Sequence, residues 1–369
     1  FARAVYRDEP WYEAVAERFA AVRGTSAEDA LRARAGFLHV MGVLAGKWPH
    51  TLSIQPGGST RAVTANEIAR LSAILAGFRQ FLQRRLYGDS LERIAELASL
   101  DDLFAWAECK RPESSDLRLF LHVAKRLALD RMGRATDHFM SFGAYGDGPA
   151  ALFPSGVWSR GIGGQLDIGG ISEDLSHAWY GSLSEVEPPA KGTTVPDVSK
   201  TAAYSWCKAP RLDGEVVEVG AVARQVVAGH PLVRDLVRLG GGNVLSRVVA
   251  RVLEIALVVL AMEKWVAELA PAEPFCLHAR MPDEARAVGL TEAARGSLGH
   301  WLNVKRGHIE SYQIVAPTTW NFSPRDSNGI PGALEQALVG ARVRPGESEP
   351  VDVQHIVRSF DPCMVCTVH

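Results

Sequence analysis

The sequence is poor in cysteine, has no long hydrophobic run and carries almost no net charge. Five cysteines in 369 residues are too few for a disulfide scaffold. A formal net charge of -2 gives no general attraction to nucleic acid or to an anionic membrane. The longest apolar run, residues 255–262, is far shorter than the ~20 residues that span a bilayer. We therefore expect no nucleic-acid partner and no membrane-spanning segment.

The pattern of apolar residues predicts a mainly helical fold with small β elements, the α+β class. Helical spacing is clearest in residues 65–87, where Ile68, Leu71 and Leu75 share one face. Residues 297–316 instead alternate around a Gly-containing turn at 305–308, which predicts a β-hairpin. We expect a helical core in 10–135 and 243–270, loops and short strands in 136–215 and 290–330, and a helix leading into a metal-binding tail in 351–369.

The tail concentrates the metal-binding chemistry of the chain in Cys363, Cys366 and His369. Cysteines three apart can bind one centre from a single turn, and thiolates are soft ligands that suit nickel, iron, zinc or copper(I). A structural zinc normally has four protein ligands, whereas the other cysteines here are isolated. A thioredoxin-like pair opens a helix after a strand, whereas this pair follows a helix and ends the chain. The spacing alone leaves half a zinc site, a redox pair and another metal centre open.

Five ordered segments, including this tail, resemble the large, catalytic subunit of the [NiFe] hydrogenases. The tail reads Asp-Pro-Cys-x-x-Cys-x-x-His. The other segments are 46–50 (GKWPH) with 56–58 (PGG), 204–211 (YSWCKAPR) with 213–214 and 218–220, 292–296 (EAARG) with 298–300, and 317–321 (PTTWN) with 324–326. The resemblance covers most of the chain. It implies one large-subunit domain, residues 1–369, with the long-helix bundle core of that family.

The resemblance implies a nickel–iron centre whose iron carries CO and cyanide ligands. Cys363 would be a terminal thiolate on nickel, and Cys366 would bridge nickel and iron. Arg295, paired with Asp361, would stand over the open metal position. A thiolate or the Arg295 guanidine would accept the proton from H2, and the sequence leaves that choice open because a guanidine normally keeps its proton.

Three further residues have supporting roles in this resemblance. Thr318 would donate a hydrogen bond to a cyanide nitrogen, with an ordinary turn residue as the alternative. His50 would be a hydrogen-bond donor near the bridging sulfur. His369 would bind Mg²⁺ or a similar ion that anchors the chain terminus.

The sequence departs from the family pattern at three points. The family's N-terminal Arg-x-Cys-Gly-x-Cys segment, which supplies two more nickel thiolates, is not found, and the chain begins with Phe1. We therefore expect an N-terminally incomplete chain that does not hold nickel tightly by itself. Ala294 stands where the family usually has Pro, which predicts a slightly looser pocket. The chain stops at His369, as do processed members and hydrogen-sensing members.

The implied function is H2 oxidation to protons and electrons by a hydrogenase subunit. Five cysteines cannot hold a relay of Fe–S clusters, so these clusters are expected only in a small partner subunit. The loop at 46–52 and the tail look closest to H2-sensing members, which signal to a kinase through the small subunit and lie in the cytoplasm. The alternatives are an energy-conserving uptake enzyme, periplasmic and membrane-associated through its partner, and a metal-free assembly scaffold.

Other polar residues have structural interpretations. Cys207 and Cys276 are expected to be buried small hydrophobes. Glu173 and His177, four apart on a possible helix, are expected to pair. Arg211 is expected to fix a turn.

Overall fold

The computed structural model describes residues 1–146, 148–181, 184–271 and 273–367, which form two compact units. The first unit comprises Phe1–Leu97, Asp101–Arg126 and Val252–Arg280. The second comprises Ala98–Leu100, Leu127–Arg251 and the chain from Met281 onward. The cysteine pair of the tail therefore belongs to the second unit.

The secondary structure is mainly helical, with short strands in small sheets. The helices are α1 (Tyr12–Phe19), α2 (Thr25–Phe37), α3 (His39–Ala45), α4 (Ala65–Phe81), α5 (Leu91–Ala95), α6 (Leu100–Glu108), α7 (Asp116–Leu127), α8 (Ala221–Ala228), α9 (Pro231–Gly240), α10 (Val244–Glu268), α11 (Pro317–Asn321), α12 (Ala333–Leu338), α13 (Val351–Ser359) and α14 (Met364–Thr367). The strands are β1 (Ile54–Gln55), β2 (Gly58–Ser59), β3 (His138–Ser141), β4 (Gly156–Ser159), β5 (Ile162–Gly164), β6 (Ile171–Asp174), β7 (Tyr180–Gly181), β8 (Val186–Glu187), β9 (Val195–Pro196), β10 (Ala209–Leu212), β11 (Glu284–Ala293), β12 (Gly296–Lys305) and β13 (His308–Val315).

In the first unit, α4 begins at a capping box. The Thr64 hydroxyl accepts from the Glu67 backbone N–H at 3.3 Å, and the Glu67 carboxylate accepts from the Thr64 N–H at 2.9 Å. Its apolar face buries Leu71 and Leu75. These pack in a cluster with Val40, Val43 and Val266. The helical spacing predicted from the sequence is therefore confirmed by the packing of this helix.

In the second unit, β12 and β13 form the predicted hairpin. Lys305 pairs with His308, and the two turn residues, Arg306 and Gly307, both have positive φ. Two such residues are typical of the type I′ turn, whose twist matches the flanking strands. The inner faces of the strands contribute Trp301 and Val315 to a cluster with Trp320 of α11. Helix α11 also contacts α14, the short helix of the cysteine tail.

Several local interpretations are corrected by the structure. Glu173 lies on β6, not on a helix, and its carboxylate contacts Lys208 rather than His177. Arg211 itself lies buried on β10, and it fixes the turn at 324–330 by binding Asp326 at 2.9 Å and donating to the Pro324 and Ile330 carbonyls. Cys207 is buried as expected, but Cys276 is only partly buried.

The α+β class is confirmed, and one element of it was not anticipated. Strand β11 pairs antiparallel with β12 over ten residues and forms the edge of a three-stranded sheet. Most side chains of β11 are exposed, so the alternation of apolar and polar residues that identifies a strand in a sequence is weak here. Among the described residues, no helix is both long and apolar enough to cross a membrane.

Candidate metal centre

The tail brings the two cysteine side chains together on one turn. Helix α13 ends at Ser359, and Asp361, with φ of 53°, redirects the chain into the cysteines. The Cys366 backbone N–H donates to the Cys363 carbonyl at 2.9 Å. The Cys366 thiol also donates a hydrogen bond to the Cys363 sulfur. The two thiols are therefore close neighbours, as two ligands of one metal must be.

The two thiols differ in acidity. The hydrogen bond from Cys366 lowers the pKa of Cys363, and the nearby Arg295 guanidinium lowers it further. Burial raises the pKa of Cys366 to about 11, and the hydrogen bond to Cys363 acts in the same direction. In the metal-free chain, Cys363 is thus the first of the pair to become a thiolate.

This difference predicts selective labelling of the metal-free chain. Only the thiolate reacts with iodoacetamide, so at mildly alkaline pH we expect Cys363 to be alkylated before Cys366. Peptide mass spectrometry after short exposure measures the order, with the exposed Cys109 as an internal reference. Equal rates at Cys363 and Cys366 would contradict the hydrogen-bonded arrangement.

Arg295 lies against Asp361, the contact expected from the sequence. Its Nε donates to the Asp361 carbonyl at 2.8 Å, and its Nη2 lies 3.5 Å from the Asp361 carboxylate. Both side chains are about two-fifths exposed, at 40% and 41%. The guanidinium is therefore fixed mainly by the backbone contact, with an open side toward solvent.

The loop that carries Arg295 is held by a buried ion pair that the sequence did not reveal. Arg224 of α8 binds the Glu292 carboxylate at 2.8 Å and also donates to the carbonyls of Ala293 and Ala294. Gly296 closes the loop with φ of 132°, and a Cβ there would lie only 2.6 Å from a Val219 methyl. The position of Arg295 thus depends on a glycine that permits close backbone approach.

Thr318 contacts the first cysteine. It is buried in α11, and its hydroxyl oxygen accepts a hydrogen bond from the Cys363 backbone N–H at 3.3 Å. An accepting hydroxyl keeps its own proton to donate. Thr318 therefore links α11 to the tail and can also serve a ligand on a bound metal, as the resemblance implies.

Cys207 is a third thiol at this site, and sequence reasoning treated it only as a small hydrophobe. It lies in the 204–211 segment, and its Sγ donates to the Cys366 carbonyl at 3.4 Å. Burial raises the pKa of this thiol, so it stays protonated and able to donate. The only signal in the sequence was its place within a family-like segment.

The remaining expected site residues are His50 and His369. His50 belongs to the first unit, in the exposed loop after α3. His369 lies outside the described residues. Within the described ranges, no three or more His, Cys, Asp or Glu side chains are grouped to hold a metal. The described part of the chain therefore offers two soft ligands, Cys363 and Cys366, which make up an incomplete coordination sphere.

Comparison with known proteins identifies the family. A family model described as nickel-dependent hydrogenase matches residues 27–369. This chain belongs to the nickel-dependent hydrogenase family. The periplasmic [NiFeSe] hydrogenase large subunit of Desulfomicrobium baculatum is 30% identical over 356 residues, which cover 89% of this chain and 62% of that protein. The uptake hydrogenase large subunit of Rhodobacter capsulatus is 37% identical over 221 residues, 52% of this chain and 37% of that protein.

The fold agrees with that of solved hydrogenases. The Ni-Fe-Se hydrogenase from D. vulgaris Hildenborough, in its as-isolated oxidized state, superposes with a TM-score of 0.78 at 27% identity and covers 98% of this chain and 72% of that one. The resemblance read from the five segments is therefore confirmed at the level of family and fold. The chain spans less than two thirds of the length of the curated relatives named here.

Proposed function

We propose that this chain is the catalytic large subunit of a [NiFe]-type hydrogenase, which splits H2 into two protons and two electrons. The observation that carries the proposal is the Cys363–Cys366 pair, with both thiols on one turn beside Arg295 and Thr318, in a member of the nickel-dependent family. Membership of this family, rather than the arginine, separates the pair from a zinc site or a dithiol redox pair, because an arginine beside a thiol also suits redox chemistry.

The residues present fit a nickel–iron centre in part. The thiolates of Cys363 and Cys366 are soft donors suited to nickel and iron. The Thr318 hydroxyl, which accepts from the Cys363 N–H and keeps its own proton, would donate to a cyanide on iron, and His369 would bind Mg²⁺ or a similar ion. When bound, the bimetallic centre would supply a Lewis acid that polarises H2 and accepts its electrons.

The side chains of Arg295 and the cysteines set the charge around this site and provide candidates for the proton acceptor. The Arg295 side chain is a guanidinium, a group that is charged in proteins. It therefore holds a fixed positive charge beside the cysteines, oriented by the Asp361 carbonyl at 2.8 Å. A cysteine thiolate is therefore the better candidate for the proton acceptor than the Arg295 guanidinium.

A second subunit is needed to carry the electrons. An Fe–S cluster takes about four cysteines, and this sequence has five in all, two of them assigned to the metal pair. We therefore propose an Fe–S small subunit as the partner.

We distinguish two candidate uses of this activity, H2 sensing and H2 uptake. We propose H2 sensing, with output to a kinase through the small subunit in the cytoplasm, because the 46–52 loop and the tail look closest to sensors. Uptake is the second candidate, because several relatives, including those of R. capsulatus and Azotobacter chroococcum, are uptake hydrogenase large subunits. Slow turnover with H2-dependent kinase binding favours sensing, and fast dye reduction without it favours uptake.

The proposed function predicts a metal signature. In the purified complex with the small subunit, we expect nickel and iron by elemental analysis, infrared bands of CO and cyanide, and H2-dependent dye reduction. A complex that carries neither metal nor diatomic bands supports the metal-free scaffold and contradicts the proposal. A complex that contains the metals but shows neither dye reduction nor H/D exchange would contradict the proposed enzyme activity, but not the metal centre.

A further inference from the structure

Arg295, the charged group beside the cysteine pair, is held by few contacts of its own side chain. Its guanidinium donates to the Asp361 carbonyl at 2.8 Å, and its contact with the Asp361 carboxylate is longer, at 3.5 Å. The side chain is 40% exposed, so packing restricts it only in part. The place of the guanidinium therefore depends strongly on where the backbone of Arg295 lies.

Arg295 belongs to the two-residue turn that joins β11 to β12. Ala293 pairs with Gly296, and Ala294 and Arg295 form the turn between them. Neither central residue has a positive φ, whereas Gly296 has φ of 132°. This is the pattern of a type I turn, which favours proline at the first central position and glycine after the second. The first central position is held by Ala294, whose exposed methyl group leaves the turn without a restraint of its own.

Arg224 of α8 supplies a restraint from inside the fold. One of its terminal nitrogens, Nη1, donates to the Ala293 carbonyl at 2.9 Å, and the other, Nη2, donates to the Ala294 carbonyl at 3.0 Å. These are the two backbone carbonyls that directly precede Arg295. A single planar guanidinium therefore fixes both peptide groups, which the point charge of a lysine cannot do.

The Arg224 side chain is itself held by Glu292, near the end of β11. Arg224 Nη1 lies 2.8 Å from Glu292 Oε2, and the two side chains are 2% and 1% exposed. Glu292 Oε1 accepts from the Phe142 N–H at 2.8 Å and from the Ser297 hydroxyl at 2.5 Å. Because Ser297 lies on β12, this network joins both strands at the base of the turn.

The start of α8 packs against the same turn. A Cβ on Gly220, which precedes α8, would lie 3.3 Å from the Arg295 carbonyl oxygen, and one on Gly296 would lie 2.8 Å from the Gly220 nitrogen. Arg224 lies one helical turn further along, and its N–H donates to the Gly220 carbonyl at 2.9 Å. The backbone contact and the guanidinium contacts thus come from one short, buried helix.

We propose that Arg224 is a positioning residue for Arg295. By fixing the two carbonyls that precede Arg295, it keeps the Arg295 guanidinium against Asp361 and beside the cysteine pair. The inference rests on the proposed hydrogenase function, in which the Arg295 charge assists the splitting of H2. The hydrogen bonds of Arg224 restrict the turn at its carbonyls, whereas a proline at position 294 would restrict the same turn through its fixed φ. One restraint should therefore replace the other in part.

The first variant is Arg224→Lys in the full chain. The lysine keeps the positive charge beside Glu292 but cannot serve both carbonyls. In the complex with the Fe–S partner, we expect nickel and iron to be retained. We expect H2-dependent dye reduction to fall ~10- to 100-fold, because a displacement of ~1 Å at a reacting site costs about 10²-fold. Hydrogen–deuterium exchange of the peptide that carries residues 294–296, followed by mass spectrometry, should become faster.

The matched control is Arg211→Lys. Arg211 is also buried, binds Asp326 at 2.9 Å and donates to the carbonyls of another loop. Its replacement removes the same kind of contacts away from the turn, so exchange at residues 294–296 and dye reduction should not change. If Arg211→Lys slows dye reduction as much as Arg224→Lys does, a general loss of stability explains both and the positioning role is wrong.

Changes at Ala294 separate positioning from stability, because they alter the turn without touching a buried group. Ala294 follows the extended strand β11 and has no positive φ, so its backbone is compatible with proline. Added to Arg224→Lys, Ala294→Pro should slow exchange of the turn and raise dye reduction again by ~2- to 5-fold, the factor by which a compatible proline favours an ordered backbone. Ala294→Gly alone should have the opposite effect, with faster exchange and slower dye reduction.

The outcomes distinguish this inference from the proposed function. Unchanged exchange at residues 294–296 in Arg224→Lys, or a slow rate that Ala294→Pro does not raise, would show that Arg224 only stabilises the fold. A wild-type complex without a nickel–iron centre would overturn the proposed function, whereas exchange measured on the full chain would still show whether Arg224 fixes the turn. Faster exchange, slower dye reduction and partial recovery with proline together support the positioning role.

Discussion

Replacing Cys366 with serine is expected to abolish the metal centre. The Cys366 sulfur is one of the two soft ligands that we propose, and it is hydrogen-bonded to the other. Loss of a group that only orients a ligand costs ~10–100-fold in metal affinity, so loss of the ligand itself should cost more than ~100-fold. Nickel and iron per polypeptide, measured in the purified complex, check the result.

The matched control for Cys366→Ser is Cys109→Ser. Cys109 is exposed and belongs to the first unit, so its variant should keep full metal content. Circular dichroism should show both variants folded, because a serine hydroxyl fits the volume of the half-buried thiol. Full metal content in Cys366→Ser would show that Cys366 is not a ligand.

Replacing Arg247 with methionine is expected to give the largest loss of stability. Arg247 Nε and Nη2 bind both Glu218 oxygens at 2.8 Å, and both side chains are 3% exposed. Removing the guanidinium leaves the Glu218 charge buried without a partner, which costs ~3–5 kcal/mol. Urea denaturation should show this loss as a lower unfolding midpoint.

Arg247 also holds the segment that leads into the cysteines. Its guanidinium lies 3.7 Å from the centre of the Phe360 ring, and Nη1 donates to the Ser359 hydroxyl at 3.2 Å. Metal content should therefore fall together with stability in Arg247→Met.

The controls for Arg247→Met separate burial from charge. Arg238→Met removes an arginine that is 69% exposed and paired with Asp235, so it should cost no more than ~1 kcal/mol. Adding Glu218→Met to Arg247→Met removes the stranded charge and should recover part of the lost stability. Equal losses in Arg238→Met and Arg247→Met would contradict the importance of the buried pair.

The sequence predicted those parts of the site that depend on neighbouring residues. The Cys-x-x-Cys spacing places two thiols on one turn whatever the rest of the chain does, and the hairpin turn at Arg306–Gly307 follows from local geometry. Glu173 was misassigned because a four-residue spacing to His177 suits a helix, whereas the chain there pairs as β6 with β10. Pairing between distant strands overrides a short local pattern.

The sequence alone predicts the family, the α+β class and the pair of thiol residues, because side-chain chemistry and short spacings can be read from it directly. Tertiary structure decided which groups surround them. Arg295 and Asp361 are in contact although 66 positions separate them in the sequence, and Cys207 and Cys366 are in contact although 159 positions separate them. Such contacts exist only once helices and sheets have packed, and no local periodicity encodes them. The sequence therefore determined the cysteine pair, and the packing determined the charged and polar groups that lie around it.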